Sequence, residues 1–462
     1  MSAQTLLWAP RAWLDGAWAD AVLLRADAQG RWAEITPGTP APPQGEGPVQ
    51  VLPGPVLPSL VDAHSHAFQR AFVGLAERRD SAHDDFWSWR DRMYGVALRI
   101  RPEQLQAVAT QLYTELLAGG YTQVCEFHYL HDDEDGRPYG DEWAMSQALA
   151  AAAQAAGIGL TLLPVLYERA GFKQPQLRVD QRRFASDVAR VLRLRDAIRS
   201  WQLPAVSAGV AIHSLRAAAP ESIRELARQL HGDCGPIHIH IAEQTGEVSD
   251  CLAATGARPI EWLARELPLD ARWQLVHATH AAPHEIDAVA ATGAGVVLCP
   301  GTEANLGDGL ADLPRWLAAG VPLSLGSDSQ VTRSWPEELR WLEYGQRLLL
   351  RQRNVAAAPS PAGAQPATAA RLYERMREGG AAAAGFQSWG LVPGARADLL
   401  VLDAAQSALC GLPPSHLLDG LVFAAPERPF ARVLVGGRWV GTSHWATPAF
   451  TAAMQALWTP AG

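Results

Sequence analysis

Short hydrophobic runs recur along the middle of the chain, and most are followed by an alanine- and leucine-rich stretch with apolar residues three and four apart. The runs are VLPSLVDAHSH, TQVCEFHYL, GLTLLPVLYE, SAGVAIHS, PIHIHIAE, WQLVHAT, GVVLCPG and VPLSLGSDS. Runs this uniformly apolar suit strands covered on both faces. Intervening segments such as PEQLQAVATQLYTELLAGG carry the helical period. Eight strands alternating with helices predict an α/β fold, a TIM-like (β/α)8 barrel. Alternation alone also fits an open, doubly wound sheet. The polar residues separate the two. Seven of the 14 histidines fall at the ends of these runs, the end where barrel enzymes carry their chemistry. Only a closed barrel brings the ends of strands one, five, six and eight to one point.

The chain's two ends have a different rhythm. TLLWAPRAWLDG, AVLLRAD, RWAEITPG and VQVLPG near the N-terminus, and GLVPGARADLLVLD and RVLVGGRWVG near the C-terminus, are short β-like runs broken by turns. The Gly-Gly in the last is a hairpin signal. They predict one small β-sandwich built from both termini: residues 1–58 and 386–462, the latter with a C-terminal tail, flanking a barrel over 59–385. The stretch PGTPAPPQGEGP is expected to loop out into solvent.

Composition narrows the class. Of 462 residues, 48% are hydrophobic and 19% charged, with a formal net charge of −9. That balance gives no electrostatic footprint for nucleic acid or for an acidic membrane. The five cysteines include no CxxC pair, which argues against a cysteine zinc site or a disulfide framework. The N-terminus lacks a signal-peptide pattern and no run is long enough for a membrane span, so a cytoplasmic protein is expected. The cations are almost all arginine; Lys173 is the one lysine.

Candidate chemistry begins at VDAHSH. Residues two apart on a strand share a face, so His64 and His66 point the same way, with Asp62. Alone the pair also fits ordinary histidines near a turn. In chain order His240, His277 and Asp328 join them, a nitrogen and oxygen donor set suited to zinc, and also to ferrous iron or manganese. Each has a plainer explanation. His277 could be a satisfied barrel histidine, Asp328 a helix N-cap, and Glu243 a first-turn carboxylate. His238, one layer deeper than His240, is expected to be structural.

Taken together, VDAHSH, HIHIAE, LVHAT, LGSDS and the closing GLVPGARADLLVLD resemble the amidohydrolase superfamily over nearly the whole chain. The resemblance implies one divalent metal per subunit, most simply Zn2+, held by His64, His66, His240 and Asp328. It places His277 beside the metal in a catalytic role. Binuclear members bridge two metals with a carboxylated lysine on strand four; that strand here is SAGVAIHS, without lysine, which implies a mononuclear, deaminase-type site. Glu243 matches the proton-shuttling glutamate of that subgroup, and Asp328 is expected to share in proton transfer.

More detailed stretches, HSHAFQRAFVGLAER, DDFWSWRDRMY, GGYTQVCEFHYLH and AIHSLRA, are similar to the formiminoglutamate deiminase family of histidine degradation. That family converts N-formimino-L-glutamate to N-formyl-L-glutamate and ammonia. The resemblance carries substrate binding onto Gln69, Arg90, Tyr129, His213 and Arg216. A substrate with two carboxylates calls for guanidinium forks. Phe86, Trp87 and Trp89 around Arg90 could wall the pocket, and segment 67–100 could cover it. Family members are commonly homodimers, so a homodimer is expected. The alternatives are a deaminase of a nucleobase such as guanine, and a non-enzymatic scaffold on the same barrel; the filled ligand positions argue against the scaffold.

Overall fold

In this computed structural model, residues 5–42, 49–79, 84–359, 365–425, 429–443 and 445–459 are described. Eight parallel strand positions close into a barrel. In order they are Leu60–Ser65, Tyr121–His128, Gly159–Leu166, a fourth strand in two pieces (Val206–Ala208 and Val210–Ser214), Ile237–Ile241, Trp273–His277, Gly295–Leu298 and Leu323–Leu325. Each pairs with the next, and the eighth pairs with the first through Leu325 opposite Asp62. The sequence-based (β/α)8 expectation holds, and an open sheet is excluded by this closure. Every residue of the first three strands is buried, as continuous apolar runs require. The fourth strand breaks at Gly209, where a Cβ would lie 2.4 Å from the Pro236 carbonyl oxygen. A side chain there would push strands four and five apart.

The second sheet has eight strands and draws on both ends of the chain. Its central strand, Val56–Leu57, lies between Thr5–Leu14 and Leu399–Leu402. The predicted Gly-Gly hairpin joins Phe430–Val435 to Arg438–Val440, and both glycines have positive φ, 55° and 75°. That is the conformation a tight two-residue hairpin turn demands. Of the loop expected over 37–48, residues 43–48 lie outside the described residues. A helix, Pro448–Trp458, follows the sheet and returns to the barrel, where the Trp458 indole donates to the Ala71 carbonyl at 3.0 Å.

Of segment 67–100, residues 80–83 lie outside the described residues, and the described parts place Gln69, Phe86, Trp89, Arg90, Met93 and Tyr94 around the cavity at the C-terminal ends of the strands. A 3-10 turn, Ala67–Ala71, leaves the first strand, and a helix, Phe86–Ala97, follows. Asp85 caps that helix by accepting from the backbone N–H of Trp87 and Ser88. No helix among the described residues is long and apolar enough to cross a membrane.

Candidate active site

The strand ends deliver the chemistry, and three do so through unusual backbone. Ala242, His277 and Asp328, just past or at the ends of strands five, six and eight, have φ of 52°, 71° and 48°. Non-glycine residues tolerate this region poorly, and such strain collects at sites where side-chain placement matters. The first and eighth strands lock together there: the Asp328 N–H donates to the His64 carbonyl at 2.9 Å, and the His66 N–H to the Asp328 carbonyl at 3.2 Å.

A buried network holds the same ends from below. The Asp62 carboxylate accepts from Ser327 N–H (2.8 Å) and Oγ (2.6 Å). Ser327 Oγ also reaches Gln330, whose amide donates to Ser65 Oγ at 3.1 Å. Ser65 donates to Glu126 at 2.8 Å, and Glu126 also accepts from Ala67 N–H and Tyr113 OH. Asp62, expected on the histidine face, is thus spent on strand eight. His238 sits deeper, bonded to the Ala383 carbonyl, in the structural role expected of it.

Above the network, four donors converge. His64 Nε2 lies 2.9 Å from His240 Nε2 and 3.2 Å from His66 Nε2, and both His64 and His66 lie 3.5 Å from Asp328 Oδ1. The outer ring nitrogens of two of them are committed: His66 Nδ1 donates to the Phe127 carbonyl and His240 Nδ1 to the His213 carbonyl. Their Nε2 atoms therefore present bare lone pairs inward. Burial holds His64 near 4 and His66 near 3, so these imidazoles are neutral at neutral pH. Bare lone pairs this close repel. One proton on His64 could relieve one contact, whereas a cation relieves all of them. A tetrahedral zinc site with ordinary Zn–N bonds has edges of roughly 3.3 Å. The donor set thus fits a divalent metal.

Beside this cluster, His277 Nε2 lies 3.6 Å from Glu243 Oε1 and 3.8 Å from Asp328 Oδ2, while Nδ1 faces Glu303 Oε1 at 3.4 Å. Burial alone would depress His277, but Glu243, Glu303 and Asp328 raise it to about 10. Burial raises Glu243 to about 7 against the opposing pull of His277 and Arg216. Asp328 is pushed upward by burial, yet the neighbouring histidines hold it below the usual carboxylate range.

The cavity above is small, about 50 Å³. It is lined by His66, His240, Glu243, His277 and Asp328, and also by Gln69, Arg90, Tyr129, His213 and Arg216. His64 lies beneath them, fully buried. The structure therefore brings every sequence-predicted site residue to one place. Gln69 donates to Tyr129 OH at 3.3 Å, and the His213 ring packs edge-on against Tyr167. Arg90 lies over the Trp87 ring at 4.6 Å, and Arg216 over Trp87 at 5.4 Å. Phe86 and Trp89 line the cavity itself, whereas Trp87 stands behind the arginines.

Two carboxylates escaped the sequence reading. Glu303 faces the back of His277 and accepts the Cys299 N–H. Glu247 accepts the N–H groups of Ala242 and Glu243, which fixes the turn that carries Glu243. The available signal was spacing: each follows a strand-end residue by four positions, in the first turn of the next helix.

The model of the amidohydrolase family matches residues 56–440. A formimidoylglutamate deiminase from Pseudomonas aeruginosa is 46% identical over 435 residues, 94% of each chain. A 5-methylthioadenosine/S-adenosylhomocysteine deaminase from Natronomonas pharaonis is 28% identical over 83% of this chain and 80% of its own. Among solved structures, an amidohydrolase from Brucella melitensis is similar with a TM-score of 0.90 at 40% identity, over 98% of this chain and all of that one. A closed parallel barrel, chemistry at its strand ends and a family match over most of the sequence lead to one assignment: the chain belongs to the amidohydrolase family.

Proposed function

We infer that this enzyme hydrolyses N-formimino-L-glutamate to N-formyl-L-glutamate and ammonia. One observation carries the reading beyond its similarity to the Pseudomonas deiminase. Two buried guanidinium nitrogens, Arg90 Nε and Arg216 Nη1, have no hydrogen-bond partner among the described residues, and both side chains line the cavity above the histidine cluster. Buried donors left unpaired call for an acceptor from the ligand, and a guanidinium calls for a carboxylate. A substrate with two carboxylates supplies one for each arginine. A flat nucleobase supplies none, which disfavours the nucleobase alternative.

Hydrolysis adds water across the formimino C=N bond; the tetrahedral adduct then expels ammonia and leaves a formyl C=O. A divalent metal at His64, His66, His240 and Asp328, proposed as a single zinc, would supply Lewis-acid activation of water and polarisation of the carbon under attack. The chain's own residues do the rest. Arg90 and Arg216 grip the carboxylates, while Gln69, Tyr129 and His213 orient the chain between them. Glu243, pushed up by burial, can hold a proton near neutral pH and deliver it to the departing nitrogen. His277, held between Glu243 and Glu303, faces the attacking oxygen and stabilises it, and Asp328 can take the proton from water. Phe86, Trp89, Phe184 and Leu306 keep bulk water out. The protein is proposed to act as a cytoplasmic homodimer in histidine breakdown.

The test is ammonia release by zinc-loaded protein given N-formimino-L-glutamate, with guanine and cytosine in parallel. Release from the formimino compound alone is expected. Release from a nucleobase instead would overturn the roles given to Arg90 and Arg216.

A further inference from the structure

Arg90 and Arg216 each border two spaces. Inward they line the catalytic cavity; outward they line a second chamber of about 310 Å³. The far wall of this chamber is the turn after the third barrel strand, closed by a bridge between Gly171 and Gln174, and it carries Lys173. Lys173 is the chain's one lysine. It is exposed, and no described carboxylate forms an ion pair with it. Arg178 on the same wall is tied to Asp91 and Asp180. The chamber's carboxylates are Glu247 and Asp250, and Glu247 already accepts the backbone N–H groups of Ala242 and Glu243. Arg90 shares Asp91 at 3.5 Å, so Lys173 and Arg216 are the lining cations that form no ion pair among the described residues.

Two cations without a carboxylate partner, one on the outer wall and one on the inner boundary of a single chamber, attract an anion, and they do so most at low salt. Its inner boundary is formed by the two arginines with unpartnered guanidinium nitrogens. We propose that the outer chamber is a staging site for the dicarboxylate substrate, where Lys173 first holds the anion before its carboxylates pass to Arg90 and Arg216. The inference rests on the dicarboxylate substrate proposed above and adds a second binding position and a direction of entry. Lys173 touches no reacting group, so its contribution belongs to KM and to association, not to the chemical step.

The experiment compares metal-loaded wild type with Lys173→Glu, Lys173→Arg and a control, Arg193→Glu. Arg193 is exposed on the outer helix Val188–Ser200 and lines neither chamber, so the control changes net charge equally, elsewhere. At roughly 20 mM ionic strength, Lys173→Glu should raise KM for N-formimino-L-glutamate about fivefold with kcat held, and the difference should shrink below about twofold near 0.3 M. Lys173→Arg should restore wild-type KM, and Arg193→Glu should leave it in place. A Lys173→Glu variant that matches wild type at low salt overturns the proposal. So does an equal loss in Arg193→Glu, or a loss confined to kcat. Failure of the substrate reading is separable, because it shows as absence of ammonia release in the unmodified enzyme before any variant is compared.

Discussion

Replacing Arg216 with methionine keeps most of the side chain's apolar bulk and removes the fork. The Arg216 guanidinium is buried, 5.4 Å from the Trp87 ring centre, and its Nη1 has no partner among the described residues. A substrate carboxylate there would make one or two charge-assisted hydrogen bonds in a dry site. Each is worth about 1.5–3 kcal/mol, and 1.4 kcal/mol is tenfold, so kcat/KM should fall about 10–100-fold or more. The carboxylate lies away from the reacting carbon and is gripped in ground and transition states alike, so the loss should sit mainly in KM. The decisive assay is a pair of cycles, each comparing wild type with one arginine variant on two substrates. N-formimino-L-glutamate and its analogue lacking the α-carboxylate are each turned over by wild type, Arg216→Met and Arg90→Met. The arginine that pairs with the α-carboxylate should cost much on the full substrate and little on the analogue, giving a coupling of about 1.5 kcal/mol or more. If both arginine variants lose as much on the analogue as on the full substrate, neither arginine reads the α-carboxylate and the clamp is wrong.

Three further outcomes are expected. Glu243→Gln preserves shape and removes the proton carrier, so kcat should drop ~10²–10⁴-fold with metal content unchanged by elemental analysis; near-normal turnover would remove Glu243 from proton transfer. Ser327→Ala breaks the bonds to Asp62 and Gln330 beneath the site and should lower stability by ~1–3 kcal/mol in calorimetry, while an unchanged melting curve would show the network to be slack. Burial, then Arg190 and Arg183, lowers His128 to about 3, so the unfolded chain binds a proton there first as pH falls. Its contribution to stability is whole above the unfolded value near 6.5 and is lost progressively toward about 3; in denaturant titrations from pH 6.5 to 5, His128→Gln should remove up to ~1.4 kcal/mol of slope per pH unit, and an unaltered slope would refute the assignment.

The barrel was legible because its strands are covered on both faces and appear as unbroken apolar runs, while the intervening helices keep their own period. His64, His66, His240, His277 and Asp328 stood out because histidine and aspartate at the ends of such runs break an apolar rule at a place where chemistry collects. Glu303 and Glu247 did not stand out. A glutamate in the first turn of a helix is favoured by the dipole whatever lies nearby, so its contact with His277 or with the Glu243 backbone leaves no mark in local pattern. The split of strand four at Gly209 was equally silent, since a glycine inside a strand states that something approaches closely and not what does. The arginines were readable only through resemblance; among so many arginines, burial and unpartnered nitrogens had to come from three dimensions.

The sheet shared by the two ends of the chain sets an order on biosynthesis. Thr5–Leu14 can pair with Ala17–Ala26 and with Val56–Leu57 as soon as they are made, but the other neighbour of Val56–Leu57 is Leu399–Leu402. The Thr5 hydroxyl donates to Gly437, 432 residues away. Until almost the whole polypeptide has left the ribosome, an apolar strand edge waits unpaired. Open edges invite pairing with other chains. A nascent chain stalled after the barrel would thus hold nearly all its catalytic residues and still be the species most prone to aggregate, and removing the last sixty or so residues should cost solubility before it costs chemistry.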